Sequence, residues 1–172
     1  MLLNLKFKLK GLDILKRLLP LIFTFVLLCA CQKPTTIKLE NRPFDSDVDI
    51  SFGGSKNSYI LKYSSKGNCR FSSTSEVPVD FCWQSGICTL DCFDTEFYAA
   101  TDIDKKTPVG IIKVAIEDAM EKPVAPNKAG EYILHGITSR GDYTLKLSPD
   151  GKPQQITFDN TQISANFSEV SS

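Results

Sequence analysis

Apolar and polar residues alternate along several segments of the chain, and this period of two constrains the fold more than any other feature. The apolar positions of the alternation are Val48, Ile50, Phe52, Tyr59, Leu61 and Tyr63 in the N-terminal half, and Tyr132, Leu134, Tyr143, Leu145, Leu147, Ile156 and Phe158 in the C-terminal half. Successive side chains of a β-strand point to opposite faces, so these segments predict strands with one buried face. In the C-terminal half, turn sequences separate the segments and predict an antiparallel meander.

One segment has the signals of a helix. Thr107 suits an N-cap and Pro108 the first helical position. Over residues 108–121 the spacing places Ile112, Ala115, Ile116 and Ala119 on one stripe, with Lys113, Glu117, Asp118 and Glu121 facing solvent. A β-branched alternation within the same residues leaves a strand as the alternative. We therefore expect an α+β fold, an antiparallel sheet of about five to seven strands with one packed helix, or an all-β sandwich if the helix is a strand.

Composition favours one globular domain and gives no reason to expect nucleic acid as a partner. The 172 residues fit a single domain, and 42% hydrophobic with 23% charged residues is typical of a folded chain. There are 20 Lys and Arg against 20 Asp and Glu. Phosphate binding requires an excess of positive charge, which this balance does not supply.

The N-terminal residues have the organisation of an export signal. A basic region with Lys6, Lys8, Lys10, Lys16 and Arg17 precedes an uncharged apolar run, residues 18–30. A membrane-spanning helix needs about 20 apolar residues, whereas the apolar core of a signal peptide needs about 7–15. The length of the run predicts a signal peptide over residues 1–30, although an uncleaved membrane anchor remains an alternative.

The end of this run, Leu28-Cys29-Ala30-Cys31, resembles the lipobox of bacterial lipoproteins. The resemblance implies that the signal peptide is cleaved before Cys31 and that the thiol of Cys31 carries a diacylglycerol, so membrane lipid is a partner through that residue. Gln32 stands where an Asp would resemble an inner-membrane retention signal, which favours the outer membrane, facing the periplasm, over the cell membrane. An ordinary signal peptide with an unmodified Cys31 is the other alternative.

These signals divide the chain into four parts. The signal peptide covers residues 1–30, and the acylated cysteine with a short polar tether covers residues 31–36. A single globular domain is expected over residues 37–159. Residues 160–172, rich in Ser, Asn and Thr, are expected to form a polar C-terminal tail.

Four cysteines, Cys69, Cys82, Cys88 and Cys92, remain in the mature domain. An even number in an exported chain predicts two disulfides, and three pairings are possible. If Gln84-Ser85-Gly86 forms a three-residue hairpin loop, Cys82 lies opposite Cys88, which favours Cys82–Cys88 with Cys69–Cys92 and makes residues 64–94 a disulfide-linked loop region. A four-cysteine zinc site is a weaker alternative, because the chain has no Cys-x-x-Cys pair.

Candidate catalytic groups are few. The single histidine, His135, is expected on the outward face of a strand, and no hydrolase or phosphate-binding motif is present. Asp45, Asp47 and Asp49 are spaced like the start of an EF-hand loop, but Ile50 occupies the position of its invariant glycine. We therefore expect no catalytic site, no metal site and no cofactor.

Trp83, the only tryptophan, lies beside Cys82 near the predicted hairpin tip. It is either an exposed anchor for a partner or part of the core. The sequence thus favours a lipid-anchored, non-enzymatic envelope protein, an accessory or binding module that contacts another envelope protein or a wall component. The alternatives are a periplasmic inhibitor or immunity protein, with the Trp83 hairpin as its plug, and an envelope enzyme that uses carboxylates alone.

Overall fold

A computed structural model describes residues 35–39, 43–76, 78–93, 95–98, 102–120 and 122–170. The predicted signal peptide, Cys31 and most of the predicted tether lie outside the described residues. From residue 36 onwards the chain forms one compact unit. Within the described residues, no helix combines the length and the apolar character that crossing a membrane requires.

The unit is built on a 10-stranded sheet in which every pair of neighbouring strands is antiparallel. The described strands are β1 (Ile37–Lys38), β2 (Phe44–Phe52), β3 (Ser55–Ser65), β4 (Asn68–Ser73), β5 (Val79–Gln84), β6 (Ile87–Cys92), β7 (Thr95–Tyr98), β8 (Pro123–Val124), β9 (Tyr132–Thr138), β10 (Gly141–Leu147), β11 (Pro153–Phe158) and β12 (Ile163–Ser168). The order across the large sheet is β7-β6-β5-β4-β3-β2-β12-β11-β10-β9, and β1 pairs separately with β8.

Two helices follow β7. Helix α1 spans Ile103–Lys106 and helix α2 spans Pro108–Ala119. The side chain of Thr107 caps α2, because its Oγ1 accepts a hydrogen bond from the Gly110 amide over 3.0 Å. The predicted helix is thereby confirmed, and the alternative strand at this segment is wrong.

The sheet curves around α2. The backbone amide of Gly67, at the β3–β4 turn, donates to Glu117, and the hydroxyl of Tyr143 on β10 donates to the adjacent Asp118. In a flat sheet β4 and β10 would lie roughly 24 Å apart, at about 4.8 Å per strand. One helix about 10–12 Å in diameter reaches both only because the sheet wraps around it. We call this concave face the trough; β7 and β9 are its two edges and do not pair with each other.

The predicted mainly antiparallel sheet with one long helix is confirmed, but the sheet has 10 strands where about five to seven were expected. Two segments account for the difference. Residues 64–94, expected to be a loop region, contain the end of β3 and strands β4–β6. The expected polar tail contains β12, which lies between β2 and β11 and buries Ile163 and Ala165.

The predicted disulfides are absent, and all four described cysteines are free. The hairpin turn has two residues rather than three, since Ser85 and Gly86 both have positive φ (52° and 82°) and the strands pair directly on either side. Cys82 therefore lies opposite Thr89, and Cys88 lies opposite Trp83. A shift of one residue puts Cys82 and Cys88 on opposite faces of the sheet.

The cysteines of the second predicted disulfide, Cys69 and Cys92, lie at different positions along the strand direction. Cys69 on β4 lies opposite Trp83, whereas Cys92 on β6 lies opposite Val79. Four residues of strand are roughly 13 Å, well beyond the 4.4–6.8 Å between Cα atoms that a disulfide bridges. The register thus excludes both predicted pairings in this fold.

Candidate functional site

Four aromatic rings on β3, β4 and β5 form a closed cluster in the trough. Neighbouring ring centroids are 6.1–6.3 Å apart in the pairs Tyr59–Phe71, Phe71–Trp83, Phe81–Trp83 and Tyr59–Phe81. The Phe81 and Trp83 rings are stacked, and the other three contacts are edge-to-face. Such contacts add to the energy of burial and fix the rings in place, so this part of the trough is rigid.

The cluster belongs to a row of apolar side chains that crosses five strands. Strand pairing aligns Leu61, Phe71, Phe81, Leu90 and Phe97, from β3 to β7. Burial falls along this apolar row, because Leu61 and Phe71 are completely buried, Phe81 and Leu90 are half-buried, and Phe97 is 53% exposed. The core of the protein therefore opens to solvent towards the β7 edge.

A cleft of about 280 Å³ lies beside this row, between the start of α2 and strands β2, β3 and β5. Its apolar lining consists of Ile50, Phe52, Tyr59, Phe81, Pro108 and Val109. Its polar lining consists of Ser55, Asn57 and Thr107. Phe81 belongs to both the cleft and the apolar row, so the two features form one continuous apolar surface.

A buried ionic network holds the helices over the trough. Lys113 is only 4% exposed, and its Nζ lies 3.4 Å from Asp104 and 3.1 Å from Glu117. The Trp83 indole donates to Asp104 over 2.6 Å, and the Gly67 amide donates to Glu117 over 2.7 Å. Because the network joins both helices to β5 and to the β3–β4 turn, it positions the helix wall of the cleft.

For Lys113 the sequence predicts the wrong environment. Its spacing on α2 predicts a solvent-exposed side chain, and that prediction assumes that one face of the helix is buried. Because the sheet curves around α2, a wider arc of the helix is covered, and Lys113 lies inside. Nζ is 5.5 Å from the centroid of the Trp83 ring, which adds a cation–π contact to its two ion pairs.

Carboxylates cluster on the outer face of β5, β6 and β7, around a depression of about 530 Å³. Asp80, Asp91 and Glu96 lie side by side in the strand register. Arg70 lies 2.6 Å from Asp80 and 3.3 Å from Asp91. Asp80 also accepts hydrogen bonds from Ser72 Oγ and the Ser73 amide, so this carboxylate has a structural role.

The remaining predicted residues lie apart from the cleft. His135 is exposed on β9, with Nδ1 3.1 Å from Thr144 Oγ1. Asp45, Asp47 and Asp49 follow one another along β2, and hydrogen bonds from Lys56 and then Ser58 lower the pKa of Asp49. Among the described residues, no three His, Cys, Asp or Glu side chains are grouped as metal ligands.

Trp83 is not an exposed anchor, because only 2% of it is accessible. Of the two roles that the sequence leaves open, the core role is the one that the structure shows. Cys69 on β4 and Cys88 on β6 pair with Trp83 from its two sides. Their thiols are also buried, and burial raises the pKa of each to about 12. Such thiols are inert towards nucleophilic chemistry at neutral pH.

No protein-family model matches the chain, and no curated protein matches it. The chemistry of the cleft follows from its lining, which among the described residues contains no carboxylate, imidazole, thiol or charged group. The lining offers van der Waals contact to an apolar group and a few hydrogen bonds from Ser55, Asn57 and Thr107. This arrangement suits the binding of an apolar group.

Proposed function

We propose that this protein is a lipid-anchored binding protein of the bacterial cell envelope and not an enzyme. In this proposal acylated Cys31 holds the domain at the outer membrane, facing the periplasm. The cleft and the apolar row bind its partner, an envelope protein, a wall component or a smaller envelope molecule. The observation that carries the binding role is the opening of the apolar row to solvent at the β7 edge of the trough.

The exposure of this row supports the binding role because it occurs at one place, the β7 edge of the trough. Phe97 lies on the same face as the fully buried Phe71, yet 53% of its surface is accessible. Apolar surface that is continuous with the core and rimmed by polar side chains is characteristic of binding sites. Tyr98 is 81% exposed on the opposite face and belongs to no such row.

The anchor is supported by the sequence. Leu28-Cys29-Ala30-Cys31 follows an apolar run of signal-peptide length, and a polar segment, Gln32 to Thr36, separates the cysteine from β1. One acyl chain binds a bilayer only marginally, whereas two or three hold a protein there stably. The two acyl chains of a diacylglycerol on Cys31 would therefore keep the domain stably at the membrane.

The inhibitor alternative loses its most specific feature. It uses the hairpin around Trp83 as a plug, but the Trp83 side chain is committed to the core and to Asp104. The turn itself is tied to the neighbouring one, because the Ser85 amide donates to Asn68 over 2.9 Å. The binding proposal needs no rearrangement of this hairpin.

The anchor is tested by the intact mass of protein extracted from membranes of the native host. We expect a chain that begins at Cys31 and carries added acyl mass, and we expect Cys31→Ala to carry no acyl mass. A chain that retains residues 1–30, or one with an unmodified Cys31, would overturn the anchor.

The binding role is tested by a photo-crosslinking amino acid placed at Phe97 and, as the matched control, at Tyr98. In living cells we expect a defined adduct from position 97 that position 98 does not form. Equal labelling from both positions, or no adduct at position 97, would overturn the cleft as the binding site.

A further inference from the structure

We propose that the cleft and the apolar row together form a groove for a single acyl chain of an amphiphile. The proposal rests on the proposed function, since it names the ligand class of the same site. It gives the otherwise unassigned apolar surface one occupant, and the shape, lining and position of the groove each support that occupant.

The shape of the groove suits a linear apolar ligand. From Phe81 to Phe97 the row crosses two strand spacings, or roughly 10 Å at about 4.8 Å per strand. At Phe81 it meets the cleft, which continues towards Phe52 and Val109. The surface is therefore elongated, whereas a compact ring system would use only the cleft.

The lining suits a chain without hydrogen-bonding groups along its length. Phe81, Leu90 and Phe97 present only hydrocarbon to the trough, so their side chains offer no hydrogen-bond partner to a peptide backbone laid on them. Each methylene that leaves water contributes about 0.8 kcal/mol, so an acyl chain gains affinity from such contact alone. Ser55 and Asn57, exposed at the rim of the cleft, can hydrogen-bond an uncharged part of a headgroup.

The proposed anchor supplies the ligand locally. Residues 32–36 between Cys31 and β1 span at most roughly 17 Å when extended, at about 3.4 Å per residue. A domain on so short a tether stays beside the acyl chains of the bilayer, at high effective concentration. The acyl chain could belong to a bilayer lipid or to a free fatty acid, and the experiment separates these two sources.

Trp83 is the reporter, because it is the only tryptophan and its ring stacks on Phe81 at 6.1 Å. The lipidated full-length mature protein is reconstituted in phosphatidylethanolamine–phosphatidylglycerol vesicles. In one arm the phospholipid is brominated at mid-chain, and in the other unlabelled vesicles receive a brominated free fatty acid. Bromine quenches tryptophan at short range, so a brominated chain lying on Phe81 is close enough to quench the buried Trp83 behind it. We expect at least a twofold loss of fluorescence in the arm whose brominated molecule is the natural ligand.

The matched variants place the same charge on opposite faces of one strand. Phe97→Glu puts a carboxylate into the groove, and we expect it to weaken the quenching titration at least tenfold. Tyr98→Glu puts a carboxylate on the outer face, and we expect it to titrate like the wild type. Both positions are exposed, so neither substitution removes buried core, and thermal melting checks that each variant is folded.

Failure of this inference is distinguishable from failure of the proposed function. Absence of quenching in both arms, or equal quenching in the Phe97→Glu and Tyr98→Glu variants, would overturn the acyl-chain groove. The adduct at position 97 and the acyl mass on Cys31 are independent of bromine. Their loss would overturn the proposed function even if a brominated fatty acid still quenched Trp83.

Discussion

Trp83 on β5 donates its indole N–H to Asp104 on α1 over 2.6 Å, and the same carboxylate lies 3.4 Å from the buried Lys113 on α2. One carboxylate thus connects the aromatic cluster to both helices. The rings that form the floor of the groove and the helix that forms its wall are held in register by this contact. Loss of the Asp104 carboxylate should affect the stability of the fold and the geometry of the groove together.

Replacement of Asp104 by Ala is expected to lower the free energy of unfolding by about 1–3 kcal/mol, because it leaves the Trp83 N–H unpaired and Lys113 with one partner. Urea denaturation followed by Trp83 fluorescence measures the change. Asp102→Ala is the control, since the ion pair that the described residues form with Asp102 is the one to the exposed Lys106, and this substitution should cost less than about 0.5 kcal/mol. Equal losses in the two variants would contradict a structural role for the Asp104 network.

Gly136 on β9 lies beneath the ring of Tyr143 on β10. A Cβ at Gly136 would lie 2.3 Å from Tyr143 Cζ, so Gly136→Ala must displace the ring and its hydrogen bond to Asp118. We expect a loss of about 1–3 kcal/mol, the usual cost of overpacking. Tyr143→Leu removes the ring, and in that background Gly136→Ala should cost much less. Additive losses in the double variant would exclude this steric explanation.

The thiols should react in two classes. Iodoacetamide at pH 8 is expected to modify Cys82 and Cys92, which are half-buried, and to spare Cys69 and Cys88, whose buried thiols have their pKa raised to about 12. Intact mass should show two adducts on the folded protein and four after unfolding without a reductant. Adducts that form only after reduction would restore the disulfides predicted from the sequence.

Acid should weaken the link between α2 and β10. Burial raises the pKa of Asp118, but hydrogen bonds from Lys122 and Tyr143 outweigh it, so the pKa lies below the usual 3.8. A carboxylate with a lowered folded-state pKa contributes stability above its unfolded pKa, and that stability is lost as the pH falls through the folded pKa. Asp118→Asn should therefore destabilise the protein at pH 7, and the difference from the wild type should shrink progressively as the pH falls below 3.8. A difference that does not depend on pH would contradict this assignment.

Much of the fold could be predicted because local signals agree with tertiary packing. The alternation in β2 and β3 and in the C-terminal meander marks the buried face correctly, and Thr107 caps the helix as its sequence position indicates. The turn before β11 closes with the Gly151 amide bonded to the Ser148 carbonyl over 2.9 Å. These features depend on residues that are close in sequence, so the sequence alone is informative about them.

The register of the β5–β6 hairpin was beyond such reasoning. Loops of two and of three residues both place Gly86 in the left-handed region, and only the positive φ of Ser85 distinguishes them. The signal for β12 was present in the alternation of Ile163 and Ala165, but the polar composition of the segment concealed it. The burial of Lys113 depends on the curvature of the whole sheet, which no local pattern encodes.

The groove could not be predicted for a related reason. Its surface combines Phe52 from β2, Tyr59 from β3, Phe81 from β5 and Val109 from α2, residues widely separated in the sequence. Each of them taken alone has the ordinary pattern of a core residue. The helices cover most of the surface that these residues share. The part of that surface beyond the end of the helical layer is uncovered.

The position of β12 governs the order in which the sheet can be completed. Strands β2–β7 pair with their neighbours in sequence, and so do β9–β11, and within the large sheet β12 joins these two blocks. A chain emerging from the ribosome can form hairpins in each block, yet the large sheet cannot be continuous until β12 has been synthesised. Joining the two blocks in the sheet pairs residues more than a hundred positions apart, as in the pairing of Ile163 with Phe52, so we expect completion of the sheet to be slow and to follow the synthesis of β12.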